Sequence, residues 1–302
     1  MNRLSYLFIV IAAMLWGIIG VFVNKLYSFG FEPTQVVSVR AAGASLMLVI
    51  YLLFTNKEYL KIQFRDIKYF IGTGIISFAF FNWCLFVAIK HTSLSVATIL
   101  MYTAPAFVMI FSAILFKEKL TKIKLISLIL TFAGCVLVTG YFQSADQRVS
   151  TLGILAGLGS GLGYALYSIF AKYALEKYSP MTIPVYTFIA ASIGLIPFTD
   201  FRGIAVAFAN PAVVFYALAL GLFSTVLPFM FYTKGLSKLE SGKASLIATL
   251  EPVVASTVGF MIFKEPVTPS KIAGIILVIA ALSIIREKPT NISDSDYAEE
   301  EI

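Results

Sequence analysis

The strongest constraint on this chain is a series of ten apolar runs separated by short loops. They cover about 5–25, 35–54, 69–89, 94–116, 123–141, 152–175, 181–199, 211–233, 243–263 and 270–286. A helix rises about 1.5 Å per residue, so roughly 20 apolar residues cross a hydrocarbon layer of about 30 Å. Backbone N–H and C=O groups must be paired inside the protein there, which leaves helices or closed barrels. Barrel strands alternate in polarity and these runs do not. Composition agrees: 59% of the 302 residues are hydrophobic and 13% charged, against about 45–50% and about 25% in soluble domains. Soluble catalytic folds, nucleic-acid modules and disulfide-stapled domains are poor fits. Cys84 and Cys135 lie inside apolar runs and read as small core residues. The first run is too long for a signal-peptide core and is followed by Lys25 rather than a small-residue cleavage site, so it reads as a retained span.

Charge gives the sidedness. The net charge is +7, but six acids and only Lys288 fall in residues 287–302, an acidic tail expected to be disordered. With the N-terminus inside, the inner segments hold sixteen bases, among them Lys57, Lys61, Arg65, Lys68, Lys117, Lys119, Lys122 and Lys124. The outer segments hold six: Lys25, Lys90, Arg148, Arg202, Lys264 and Lys271. The positive-inside rule then places both termini in the cytoplasm of a multi-pass cell-membrane protein.

The chain also repeats itself. A shift of 147 residues lays Phe116-Lys117-Glu118 on Phe263-Lys264-Glu265, Pro105 on Pro252, Thr121 on Thr268 and Lys124 on Lys271. Five spans per copy is an odd number, so the second copy must run in the opposite sense. The division is 1–145 for the first five-helix repeat, 146–286 for the second and 287–302 for the tail. FKEKLTKIK on the inner side becomes FKEPVTPSK on the outer side, where Pro266 and Pro269 stand for Lys119 and Lys122.

Leu15-Trp16-Gly17, Arg40, Pro105, Lys117-Glu118, Leu250-Glu251-Pro252-Val253, Gly259 and Lys264-Glu265 together resemble the EamA-like members of the drug/metabolite transporter superfamily, over about 5–286. The resemblance implies an all-α carrier of ten transmembrane helices in two inverted five-helix repeats, with a central cavity open to one side at a time. It also implies small organic cargo: amino acids, related metabolites or drug-like amines, commonly moved outward.

Two charges stand deep in the spans. Glu251 is about eight residues from Lys243, so about 12 Å in. A carboxylate there costs a few kcal/mol unless it is paired, hydrated or protonated. It reads as a cation partner for substrate, as a proton carrier, or as a structural acid beside Pro252. Arg40 lies about 10 Å in from Pro33. It reads as a bidentate partner for a substrate carboxylate, as a side chain that snorkels outward, or as a lock between span 2 and a neighbour's carbonyls. The two enter from opposite sides with an axial gap of roughly 8 Å in a core of about 30 Å, which suits a zwitterion between them. Asn82, Trp16, Trp83, Tyr102, Tyr164, Tyr167 and Tyr232 are further candidates for the cavity wall, against ordinary packing as the alternative. Pro105, Pro252 and Pro228 are hinge candidates, against fixed bends. The glycines from Gly153 to Gly163 form small-xxx-small runs that favour close packing within the chain over dimerisation.

One histidine, His91, cannot build a metal site, and Gly235 and Gly242-Lys243-Ala244 miss the P-loop spacing and its Ser/Thr, so neither metal nor ATP is expected. Asn291-Ile292-Ser293 falls in the cytoplasmic tail and is set aside as a glycosylation site. The expectation is a cofactor-free secondary carrier rather than an enzyme, working by alternating access as an exporter. It would be a monomer or weak homodimer in the lipid bilayer, with a small-molecule substrate and no nucleic-acid partner. Import or exchange of another solute, a channel, and a membrane-embedded enzyme are the alternatives; the last would need a nucleophile–base pair that the spans do not show.

Overall fold

The computed structural model describes residues 3–140 and 150–285. The acidic tail and Asn291 lie outside the described residues. The described residues form helices and no strand. The long rods are α1 (Arg3–Ser28), α2 (Pro33–Thr55), α3 (Phe64–His91), α4 (Leu94–Leu115), α5 (Lys122–Val138), α6 (Thr151–Ala174), α7 (Thr182–Phe198), α8 (Pro211–Leu236), α9 (Ser241–Phe263) and α10 (Pro269–Ile285). Seven of these, α1–α4, α6, α8 and α9, are long and apolar enough to cross a membrane. A bend of 107° joins α7 to the short helix Phe201–Ala207, and the pair taken as one span makes eight. The expectation of ten is thus not reached on length and composition. At 17 residues each, α5 and α10 extend about 26 Å, short of a layer of about 30 Å.

Local chemistry sets the ends. Pro33 opens α2 beside a capping box in which Gln35 and Glu32 satisfy each other's amides, so this helix begins before its apolar run does. Ser93, Thr121 and Ser150 each accept from the amide three residues on, at the starts of α4, α5 and α6.

Successive rods run in alternating directions, so the loops collect at two ends. At one end Tyr59 and Leu60 carbonyls accept from Thr182 and Tyr186, and Asp66 pairs with Lys177 at 2.9 Å. This end also holds Lys117, Lys119 and Lys122 and is called the basic end below. At the opposite end the α2 side chains Gln35 and Ser38 meet Asp200 and Thr199, and Ser150 donates to the His91 carbonyl.

Small residues bring the rods together. A Cβ on Gly157 or Gly161 would strike Leu100 or Thr103 of α4, and one on Gly163 would strike Phe81 of α3 at 3.0 Å. The glycine stripe of α6 therefore receives α3 and α4 of the same chain. Gly134 and Gly274 bring α5 and α10 into backbone contact in the same way.

Five rods depart from regular α geometry in mid-span, α1 among them with a break at Ile18. The α4 helix breaks at Tyr102–Thr103 and α9 at Thr249–Leu250, positions 147 residues apart. Wider π turns occupy Gly72–Ala79 in α3 and Leu222–Val226 in α8. Pro105, Pro252 and Pro228 each sit in the first two positions of a helix that resumes after such a break. A proline there removes no intrahelical bond, because those amides have no partner in their own helix.

Candidate functional site

The breaks and π turns surround a central cavity of about 460 Å³. Its wall on α3 is formed by Phe78, Phe81, Asn82, Leu85 and Phe86, the i, i+3, i+4, i+7, i+8 face of a helix. Trp16 of α1, Tyr102 of α4, Tyr164 and Tyr167 of α6, and Phe229 and Tyr232 of α8 surround the deep part. The rings interlock: Phe229 meets Trp16, Phe188 and Tyr167 edge-on at 5.3, 4.9 and 5.0 Å, an arrangement the ring quadrupoles favour. Trp16 and Tyr164, paired by a one-residue slip of the repeat, touch at 6.3 Å.

Both deep charges line this cavity. The first helical residue after the α9 break is Glu251, and Tyr164 donates to its Oε2 at 3.4 Å. Arg40 is buried; its Nε donates to Thr225 Oγ1 at 2.8 Å and its Nη2 to the Ser224 carbonyl at 3.3 Å. Its guanidinium lies 5.3 Å from the Phe78 ring centre, within cation–π range. The anchor on α8 is the π turn, which presents the Ser224 carbonyl and the Thr225 hydroxyl to α2. These bonds tie span 2 to α8 and use two of the five N–H donors of Arg40.

The other candidates divide. Asn82 lines the cavity, but its amide also donates to the Phe78 carbonyl at 2.7 Å inside its own helix. Trp83 lies away from the cavity lining; it is 57% exposed and stacks on Phe80. Phe78, Phe81, Phe229, Ser224 and Thr225 were not singled out from the sequence. Phenylalanine is common in every span, and the π turns that aim these residues leave no composition signal. Among the described residues no cluster of His, Cys, Asp or Glu could hold a metal ion.

The cavity opens at the end opposite the basic end, where Tyr27, Pro33, Leu94, Phe263 and Glu265 line its mouth. Toward the basic end it is closed in layers. Tyr167 and Thr233 share a hydrogen bond of 2.7 Å, as do Ser168 and Tyr232. Below them Lys172 Nζ donates to the Leu236 and Leu239 carbonyls at 3.1 and 2.8 Å, capping the negative end of α8. Last, Glu118 accepts from the amides of Ser241 and Gly242 at 2.6 and 3.1 Å, a carboxylate on the positive end of α9. Beside it Glu240 meets Lys124 and Lys243 at 3.1 and 3.2 Å. Partial burial pushes the Glu240 carboxyl up, but the two lysines outweigh it and hold it below its ordinary value.

Comparison with known proteins gives the context. The model of the EamA-like transporter family matches residues 3–140 and 151–286. An uncharacterised transporter of Archaeoglobus fulgidus is 27% identical over 287 residues, 94% of this chain and 99% of its own. The uncharacterised transporter YyaM of Bacillus subtilis is 28% identical over 263 residues, 84% of each chain. A crystal structure of another protein superposes with a TM-score of 0.78 over 95% of this chain and 97% of that one, at 15% identity, a likeness of fold.

Proposed function

The chain belongs to the EamA-like transporter family, and from that premise we propose that it is a secondary active carrier for a zwitterionic, amino-acid-like metabolite with an apolar or aromatic side chain. The observation that carries this reading is that Glu251 and Arg40, the two charges deep in the spans, share the wall of a mainly apolar cavity that is rich in aromatic rings and open at one end. Arg40 takes the substrate carboxylate with its remaining donors, and Glu251 takes the ammonium. The rings of Trp16, Tyr164 and Phe78 take the side chain through stacking and cation–π contact.

In this reading all ten rods cross the cell membrane as two inverted five-helix repeats, 1–145 and 146–286, with both termini in the cytoplasm. The basic end is then cytoplasmic, and the present state faces outward. Binding from the basic end and release at the open mouth make the protein an exporter, powered by an ion gradient or exchange. Glu251, exposed in turn to either side, is the group that would carry a coupled proton. The protein works as a monomer or weak homodimer, without ATP or a nucleic-acid partner.

Purified protein in liposomes tests this. Labelled amino acids should show saturable uptake with counterflow, and both Glu251→Gln and Arg40→Ala should abolish it. Transport of every tested amino acid that survives both substitutions rules out the bridging site. Flux that rises linearly without saturation points to a channel.

A further inference from the structure

The turns that follow α4 and α9 are built alike. Lys117 and Lys264 take left-handed backbone, with φ of 55° and 59°, a rare conformation for a side-chain-bearing residue. The next amides, of Glu118 and Glu265, each reach back 3.2 Å to the carbonyl six residues earlier, Ser112 and Gly259. Thr121 and Thr268 then each accept from the amide of the lysine three residues on, at 3.3 Å. Each of these pairs is 147 residues apart.

The two glutamate side chains nevertheless do different things. Glu118 is bonded across the bundle to Ser241 N and Gly242 N, fastening the end of α4 to the start of α9. Glu265 lies at the open mouth, its side chain 51% exposed and paired with Lys271 at 3.0 Å. The positions that match Ser241 and Gly242 are Leu94 and Ser95, the first residues of α4. Leu94 lines the same mouth as Glu265. Among the described residues neither the Leu94 nor the Ser95 amide has an acceptor. The first copy's glutamate is therefore latched, while the second copy holds a glutamate on a turn of the same build, paired with Lys271 and lining the same mouth as Leu94.

We infer that Glu118 and Glu265 are alternating latches of one transport cycle. When the basic end opens, Glu118 releases Ser241 and Gly242. Glu265 leaves Lys271 and accepts from Leu94 and Ser95, drawing the end of α9 onto the start of α4 across the mouth. Each latch is a carboxylate held by two amides at a helix N-terminus. One set forms as the other breaks, so the two states stay close in free energy and a small differential affinity moves the population. The latch pair rests on the carrier reading and adds its gating residues, which lie far from Glu251 and Arg40.

The test measures distances in the full chain in lipid nanodiscs, so it does not depend on knowing the substrate. Spin labels at Lys90→Cys and Pro266→Cys report on the mouth, and labels at Lys119→Cys and Lys238→Cys on the basic end. The buried Cys84 and Cys135 are replaced by alanine in both. Glu118→Ala should raise the population with a short mouth distance and a long basic-end distance by about tenfold or more. Glu265→Ala should lower it by a similar factor, and the double variant should return toward the parent. Glu265→Gln, which keeps one acceptor oxygen, should fall between. A half-exposed side chain is removed, so Glu265→Ala keeps the fold. If Glu265→Ala in the Glu118→Ala background leaves the short mouth population within about twofold, the latch is overturned while alternation stands. A single distance at each end in every variant overturns both the latch and the carrier reading.

Discussion

Arg40 of α2 donates through Nε to the hydroxyl of Thr225 at 2.8 Å, inside the π turn of α8. This bond fixes the angle at which the guanidinium faces the cavity. Thr225→Val keeps the shape and removes the acceptor. Interhelical hydrogen bonds in membranes are worth about 0.6 kcal/mol on average and up to about 1.7. We expect a small drop in thermal stability in detergent and a larger rise in substrate KM. Arg40→Lys, which loses the planar fork, should reduce transport by at least about tenfold.

Trp16 and Trp83 give opposite expectations from the same residue type. Trp16 is buried against Phe229, Tyr232 and Tyr164 on the cavity wall. Trp83 stacks on Phe80 at the protein's periphery. Trp16→Ala should abolish ligand-induced thermal stabilisation. Trp83→Ala should leave it within about twofold, since peripheral substitutions usually change free energies by less than about 0.5 kcal/mol.

Gly74 and Gly43 separate close packing from open space. A Cβ on Gly74 would strike the Thr187 carbonyl oxygen, and it would sit 2.8 Å from the Ala191 amide nitrogen. Both atoms are α7 backbone, which has little room to yield, so Gly74→Ala should cost about 1–3 kcal/mol. A Cβ on Gly43 meets nothing within 4 Å. Gly43→Ala should be neutral, or stabilising by up to about 1 kcal/mol. Thermal unfolding of the two purified variants compares them directly.

The basic-end seal should weaken in acid through Glu240. Its carboxyl is held below the ordinary 4.5 by Lys124 and Lys243. A depressed carboxylate contributes stability that is fully present above its unfolded value and lost as pH falls through the folded one. Unfolding temperature should therefore decline below about pH 4.5 more steeply in the parent than in Glu240→Gln, in a titration from about pH 6 to 3. Parallel curves would remove Glu240 from the seal's energetics.

Tyr164 and Glu251 are linked by a bond of 3.4 Å, at the long edge of hydrogen-bond geometry. Tyr164→Phe should therefore change transport by less than about threefold, whereas Glu251→Gln should abolish it. Counterflow in liposomes measures both, and equal losses would make the pair a single functional unit.

The sequence by itself determined the helices, their alternation and the grouping of basic loops at one end. Apolar run length and charge position act locally, and neither needs a folded partner to be read. It also singled out Arg40 and Glu251, because a charge in hydrocarbon is costly wherever it sits. Tertiary structure decided which side chains share the cavity. Each residue turns a helix by about 100°, and a π turn adds a residue to that count. The α3 wall therefore takes Phe78, Phe81, Asn82, Leu85 and Phe86 and turns Trp83 outward. Tertiary structure likewise gave Arg40 its anchor on α8, and it gave the twin turns at Glu118 and Glu265 unlike partners. The turns repeat because their sequences repeat; the partners differ because a cavity open at one end brings α4 and α9 together at the other.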